Sequence, residues 1–418
     1  MIYSIVTILI TIISFILSLF FENSCIFFVS CMSVVCLMSI LKMNLSKELK
    51  VFLVVAFVVR IIFVIIDLYY YRLPDSGSDD DGFYRVAMMM KENTLPMSVN
   101  IHGGLYSIIL CLMSFVIGEN RLGLQFTNVI LFCVSINYLN KTLDLIGVSS
   151  KTKKIVLLII SFEPYIMFSN SILRRDTLIS TLLIISLYHF IKWYKCNIKV
   201  SIVVSVMCVV VASLLHTAAI FTLPFYFVFY LFYNRKKEKC IFFGVNTIKQ
   251  ILLIVIVAVF GSYFLTNYST KISKFDSIDN LYSSINTIST KAGSTYLANI
   301  NINSISKLIL YTPLKTFYFL YSPMPWDFRG IVDILAFVCD SCVYLFLTIK
   351  VLMHKKVHNT SIIRTLFVIA LVFIIIFSLG TSTSGTAIRH RYNVLPYLLV
   401  LFALNEANGK KGVYKNEQ

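Results

Sequence analysis

The stretch Ile101–Gly118, "IHGGLYSIILCLMSFVIG", decides how this chain is threaded. It is nearly as long and apolar as a helix that crosses a bilayer, which takes about 20 residues. If it crosses, Lys151, Lys153 and Lys154 face outward and every later cationic cluster flips with them. If it lies in the interface or re-enters, all the clusters share one side. Short cytoplasmic loops carry the excess of Lys and Arg, so the second arrangement is expected, and the paired glycines and modest length allow it.

The rest of the chain is read outward from that choice. Of 418 residues, 58% are hydrophobic and 14% charged, and the mean hydropathy is +0.83. A soluble domain of this size needs far more polar surface. The expectation is an all-α polytopic membrane protein, one integral membrane domain over 1–418 with about 12 transmembrane helices. They fall near 3–20, 24–41, 51–70, 122–140, 155–171, 177–194, 200–216, 218–233, 251–267, 330–350, 362–381 and 394–407. The first run lacks a basic leader and a small-residue cleavage site, so it is expected as a retained span. With both termini cytoplasmic, every Lys/Arg cluster, from Lys42/Lys47/Lys50 to Lys410/Lys411/Lys415, lies inside. The net charge of +17 is therefore loop charge, and no nucleic-acid partner is expected. Nearly all ten cysteines lie in apolar runs. "CDSC" (Cys339, Cys342) has redox spacing but falls within an expected span, which argues against redox work.

Two outer loops are long under this threading: 71–121, with Ile101–Gly118 as a juxtamembrane helix, and 268–329, rich in Ser, Thr and Asn. The second ends on Leu308–Tyr321, whose Pro313, Lys315 and aromatics suit another interfacial helix. The unusual residues gather on this outer side. They are Asp79, Asp80 and Asp81 in "PDSGSDDDGFY", Arg174, Arg175 and Asp176 in "SILRRDTLIS", and His216 in "SLLHTAAIF". Trp326, Asp327 and Arg329 follow in "YSPMPWDFRG", and Arg389, His390 and Arg391 in "TSGTAIRHRYNVLP".

Paired arginines in short outer loops run against the charge bias of insertion, so something must compensate. Guanidinium forks bind phosphate in partly dry sites, and a lipid-linked phosphate at the headgroup level is the natural counter-charge for Arg174/Arg175 and Arg389/Arg391. The plainer alternative pairs Arg175 with Asp176 and Arg329 with Asp327, with snorkelling. His216 either caps a helix end or acts as an acid/base group. His390, between two arginines, has its protonated form disfavoured. Arg60 lies mid-span and is expected to form a structural ion pair with Asp67 or Glu163, with direct catalysis as the alternative. The triplet has three readings: a divalent-cation site, a solvated acidic turn, or a general base that deprotonates a sugar hydroxyl.

An intramembrane arginine followed by "DDDGFYRVA" and "GGLYSIILCLMSFVIGENRLG" resembles the start of GT-C-fold, lipid-phosphate-dependent glycosyltransferases. "LRRDTLIS", "LLHTAAIF", "SPMPW" and "GTAIRHRYNVLP" are similar to O-antigen polymerases of the Wzy type. The acidic pair typical of the first group is a run of three Asp here, which leaves the matching residue open. The resemblance implies joining of undecaprenyl-pyrophosphate-linked repeat units on the periplasmic face of the bacterial inner membrane. Arg174, Arg175, Arg389, His390 and Arg391 then hold pyrophosphate. An Asp of the triplet or His216 activates the acceptor, and Trp326 stacks on sugar. No nucleotide cofactor is implied. Partners are the lipid-linked oligosaccharide, the bilayer and a candidate chain-length regulator protein. A single-sugar transferase with a polyprenyl-monophosphate donor is the near alternative. A flippase is the distant one, since the polar residues lie at one end and no internal repeat is visible.

Overall fold

The computed structural model describes residues 23–235, 237, 239–240, 255, 294–297, 300, 302–353 and 360–415. The expected span at 3–20, that at 251–267 apart from Val255, and residues 268–293 of the large outer loop lie outside them. The described chain is almost entirely helical. Its only strands among the described residues are Tyr233–Asn234 and Lys239–Cys240, an antiparallel pair in an expected cytoplasmic loop.

In order, the helices are α1 (Asn23–Lys42), α2 (Lys47–Tyr69), α3 (Asp79–Lys91), α4 (Leu105–Ile117) and α5 (Arg121–Ile146). There follow α6 (Ser150–Phe162), α7 (Pro164–Ser169), α8 (Arg175–Cys196), α9 (Lys199–Leu215) and α10 (Leu223–Phe232). Beyond the outer loop come α11 (Ile305–Tyr321), α12 (Ile331–Ala336), α13 (Cys342–Met353), α14 (Ser361–Leu379) and α15 (Ser384–Lys415). Among the described residues, six helices are long and apolar enough to cross a membrane: Cys25–Lys42, Lys47–Tyr69, Arg121–Ile146, Arg175–Cys196, Ile331–Met353 and Ser361–Leu379. The protein is thus an all-α membrane protein. α4, with 13 residues, is about 20 Å long at 1.5 Å per residue, well short of a hydrocarbon core of about 30 Å.

Several expected spans are differently built. The run 155–171 breaks at Glu163, which is extended (φ −61°, ψ 123°) because Pro164 follows it. Pro164 then starts α7, and the Glu163 carboxylate accepts from the Tyr165 and Ile166 N–H groups at 3.0 and 2.7 Å. The run 218–233 is a 3-10 turn, Thr217–Thr222, leading into α10 through Pro224. The span at 330–350 is continuous but holds a π turn, Phe337–Ser341, between α12 and α13. The last helix begins at Ser384, ten residues before the expected span, so Arg389, His390 and Arg391 lie within it.

The chain divides into two compact units, residues 1–141 with 153–185 and residues 142–152 with 186–418. In the first unit α2 opens on the Ser46 cap, which accepts from Leu49 N at 3.3 Å. Its buried face carries Leu49, Leu53, Ala56, Phe57, Arg60, Ile61, Val64 and Asp67 at helical spacing. In a bilayer such a face gains close packing and hydrogen bonds, since lipid tails are as apolar as leucine. α3 buries Asp80, Phe83, Ala87 and Met90 on one stripe and packs on α4. In the second unit α14 packs on α15 and on α11, with Phe319 stacked on Phe377 at 6.1 Å.

Candidate functional site

The acidic triplet forms the first turn of α3, so the stretch expected as loop is a helix start. Unpaired N–H groups and the helix dipole make that end favourable for carboxylates. Asp80 is 0% exposed. One of its oxygens accepts from the Ser78 N–H at 3.0 Å, and the other from Ser76 Oγ at 3.1 Å and Arg121 Nη2 at 2.6 Å. Arg121 Nη1 donates to Asp81, so a single fork bridges two neighbouring carboxylates. Arg72 adds a second cation, 3.4 Å from Asp81 and 3.9 Å from Asp67. Beneath Arg121, the Tyr84 hydroxyl donates to the Glu119 carbonyl at 2.7 Å. Burial raises the Tyr84 phenol, against the pull of Arg121, so it stays a neutral donor.

A run of buried amides links this turn to the first arginine pair. Gln125 Nε2 donates to Asp67 at 3.0 Å and to the Ser171 carbonyl at 2.5 Å. Asn128 Nδ2 donates to the Ile172 and Arg174 carbonyls at 2.6 and 3.0 Å. The Arg174 side chain is 0% exposed, and its Nη2 binds both the carbonyl and the carboxylate of Asp75, the latter at 2.7 Å. Its Nε and Nη1 have no hydrogen-bond partner. Asp75 takes a positive φ of 71° to reach it. The Arg175 guanidinium lies 5.7 Å from the centre of the Phe83 ring, a cation–π distance. Phe83 stacks on His102 and meets Tyr106 edge-on at 5.4 Å. The first unit therefore brings together Asp79–Asp81, Arg174 and Arg175, separated by almost a hundred residues. Arg121, Asp75, Gln125 and Asn128 join them.

Beside this network lies a cavity of about 550 Å³, lined almost wholly by apolar side chains of α1, α4, α5 and α8. Tyr106, Thr127 and Asn128 are its polar members.

Arg60 is fully buried, donates to the Ala56 carbonyl at 2.9 Å, and lies 3.5 Å from the Phe132 ring centre. The oxygens of Asp67 are held by the Leu73 N–H at 2.9 Å and by Gln125, and those of Glu163 cap α7. The guanidinium–carboxylate pairs in this unit include Arg121 with Asp80 and Asp81, Arg174 with Asp75, and the longer contacts of Arg72 with Asp81 and Asp67.

The second unit has its own constellation. His216 and His390 meet at 5.2 Å, and both rings pack on Phe377, His390 stacked at 4.8 Å. His216 Nδ1 accepts from the Ala218 N–H at 3.3 Å, so it caps the 3-10 turn. Arg389 and His390 are half-buried. Arg391 is fully buried. Its Nη1 donates to the Leu320 carbonyl at 2.7 Å and Ser341 Oγ at 3.3 Å, and its Nη2 donates to the Ser322 carbonyl at 2.5 Å. Nη2 also pairs with Asp340 at 2.7 Å. The π turn brings Asp340 and Ser341 to the buried face. Arg329 pairs with Asp333 at 3.1 Å, the i,i+4 neighbour, where the plainer sequence reading has Asp327. Burial raises the Asp327 carboxyl against the pull of Arg329.

Trp326, 67% exposed, donates to Tyr318 Oη at 3.1 Å, and Tyr318 stacks on Tyr296 at 5.2 Å. Lys315 is buried near Ser382 Oγ, 3.5 Å away, and burial lowers it to about 8. Cys339 and Cys342 are free thiols.

Sequence reasoning missed Arg121, Asp75, Asp340 and Lys315 as site residues. Asp340 had a signal, since an acid inside a span calls for a partner, but the flanking cysteines drew the reading. Among the described residues no group of three or more His, Cys, Asp or Glu is arranged to hold a metal ion. No protein-family model, curated protein or solved structure matches the chain.

Proposed function

We propose that this protein is a surface-polysaccharide polymerase of the O-antigen type, a GT-C-like glycosyltransferase of the bacterial inner membrane with about 12 spans. It joins undecaprenyl-pyrophosphate-linked repeat units on the periplasmic face, with both termini cytoplasmic. The observation that carries the reading is the meeting, in one unit, of an acidic helix start with a buried arginine that keeps two unpartnered guanidinium nitrogens. The acceptor hydroxyl attacks the anomeric carbon of the growing chain, and the bond from that carbon to the pyrophosphate oxygen breaks. The pyrophosphate leaves with the bonding electrons, and the hydroxyl proton passes to a carboxylate. Asp80 is fully buried and Asp79 and Asp81 are half-buried, so Asp79 or Asp81 is the base. Arg174 and Arg175 stabilise the charge that develops on the leaving group. Arg389 and His390 are the second unit's phosphate-binding candidates, and Trp326 with Tyr318 forms a face for sugar stacking. A chain-length regulator is a candidate partner.

One observation favours a second reading. Arg391 is taken up by protein acceptors, which lowers the count of cations open to a pyrophosphate. That leans toward a transferase that moves one sugar from a polyprenyl monophosphate.

Deleting the gene and running the surface polysaccharide on a gel separates them. Loss of the ladder with one repeat unit retained supports the polymerase, and loss of a single branch sugar supports the transferase. An unchanged polysaccharide overturns both.

A further inference from the structure

The cavity of the first unit adjoins the charged network, and its make-up specifies an occupant. Its walls include Ile109, Leu131 and Leu178, and its open side is lined by the exposed Leu112 and Val116. Exposed apolar side chains of this kind suit a hydrocarbon surrounding better than water. A space of about 550 Å³ is within the range of ligand sites.

Arg174 and Arg175 are not in its lining, but its polar members Tyr106 and Asn128 connect it to them. Asn128 lines the cavity and also holds the carbonyls of Ile172 and Arg174. Tyr106 lines it, lies beside Asn128, and meets Phe83, the ring under Arg175. Leu178 follows Arg175 by three residues on α8, so both occupy one helix face. Buried Arg174 has Nε and Nη1 unpartnered. An amphiphile with one hydrocarbon chain and an anionic head satisfies both ends at once.

We infer that this cavity holds the first isoprenoid units, next to the headgroup, of a polyprenyl-phosphate lipid, with its phosphate against Arg174 and Arg175. The inference rests on the proposal that the substrate is lipid-linked. It adds where the chain lies and which helices grip it.

The test uses the full-length protein in nanodiscs of zwitterionic lipid and a polyprenyl monophosphate carrying a photoreactive diazirine in its chain. Labelled peptides are expected to map to 105–117 and 127–131. Unlabelled polyprenyl phosphate should compete and phosphatidylglycerol should not. Ile109→Trp and Leu131→Trp, which fill the space, should each cut labelling by at least tenfold, and Arg174→Ala should weaken it. Labels scattered over all lipid-facing helices overturn the inference, as does undiminished labelling of both tryptophan variants. Equal competition by phosphatidylglycerol also overturns it, by marking an ordinary structural lipid. The wild-type map stands even where a variant fails to fold. Labelling needs no turnover, so the cavity and the polymerase reading fail separately: the label map decides one, and the gel ladder the other.

Discussion

Arg174 and Arg391 are both fully buried, yet their surroundings differ in kind. Arg391 donates to two carbonyls and a serine and pairs with a buried carboxylate. Arg174 binds one residue, Asp75, whose side chain is 43% exposed, and leaves Nε and Nη1 unused. A buried guanidinium whose donors are nearly all taken holds helices together. One that keeps spare donors beside a cavity is prepared for a ligand. Position on the outer side, which the sequence reading used to group the two, does not separate these roles. Donor accounting does.

The contrast breaks most visibly at Asp340. Asp340→Ala leaves Arg391 buried without its counter-charge, and removing one partner of such a pair costs about 3–5 kcal/mol. A drop of that order is expected in the thermal stability of the solubilised protein. The double variant Asp340→Leu/Arg391→Met should recover most of it, because apolar replacement of both partners is often neutral or better. A single variant as stable as wild type removes the structural assignment of Arg391.

Lys315 gives the next largest effect, through pH. Burial lowers it from 10.5 to about 8. Between those values the unfolded chain holds a proton that the folded chain has lost, so stability rises with pH across that window. Below pH 8 the folded protein bears the full cost of a buried ammonium, about 3 kcal/mol at 1.4 kcal/mol per pH unit. Lys315→Met should therefore be more stable than wild type at pH 7, with the gap closing from pH 8 towards 10.5. A pH-independent gap refutes it.

Arg174 is the opposite case. Its partner is half-exposed and two of its donors are unpaired, so Arg174→Ala should cost less stability than Asp340→Ala, while polymer formation is lost. Arg174→Lys, which keeps the charge but not the planar fork, should restore only part of it. The gel ladder and a melting curve on the same variants check both halves. Polymer formation unchanged in Arg174→Ala would falsify the ligand role.

Much of this was legible in the residues. Apolar runs located the six helices long and apolar enough to span, the run of three carboxylates singled out Asp79–Asp81, and the charge rule singled out Arg174 and Arg175, which the fold unites with them. His216 and His390, set apart by 174 positions in the sequence, also meet. What was hidden depends on local backbone chemistry. The sequence reading has Glu163 only as an ion-pair partner for Arg60; it does not foresee that Pro164 after it ends α6 and makes the carboxylate a helix cap. Asp340, which pairs with Arg391, lies in a π turn whose Asp340 and Ser341 are buried, and hydropathy gives no sign of such a turn. Arg121 looked like the end of a loop, and only the start of α3 shows that its fork spans two carboxylates. Hydropathy reads which segments are apolar. It is blind to which turn of a helix a charge ends up on.

The smallest structural effect belongs to Trp326, and that makes it a clean probe. Its ring is 67% exposed and held by one hydrogen bond to Tyr318. Trp326→Ala should therefore change stability by less than about 0.5 kcal/mol, as exposed substitutions usually do. If Trp326 and Tyr318 form a sugar-stacking face, the same variant shortens the polysaccharide ladder. Trp326→Phe keeps a flat apolar ring but loses the indole donor, so it should retain most of the length if stacking matters, and little if the Tyr318 bond does. A ladder unchanged in both variants, at unchanged stability, removes Trp326 from the site and leaves sugar contact to other groups on the outer face.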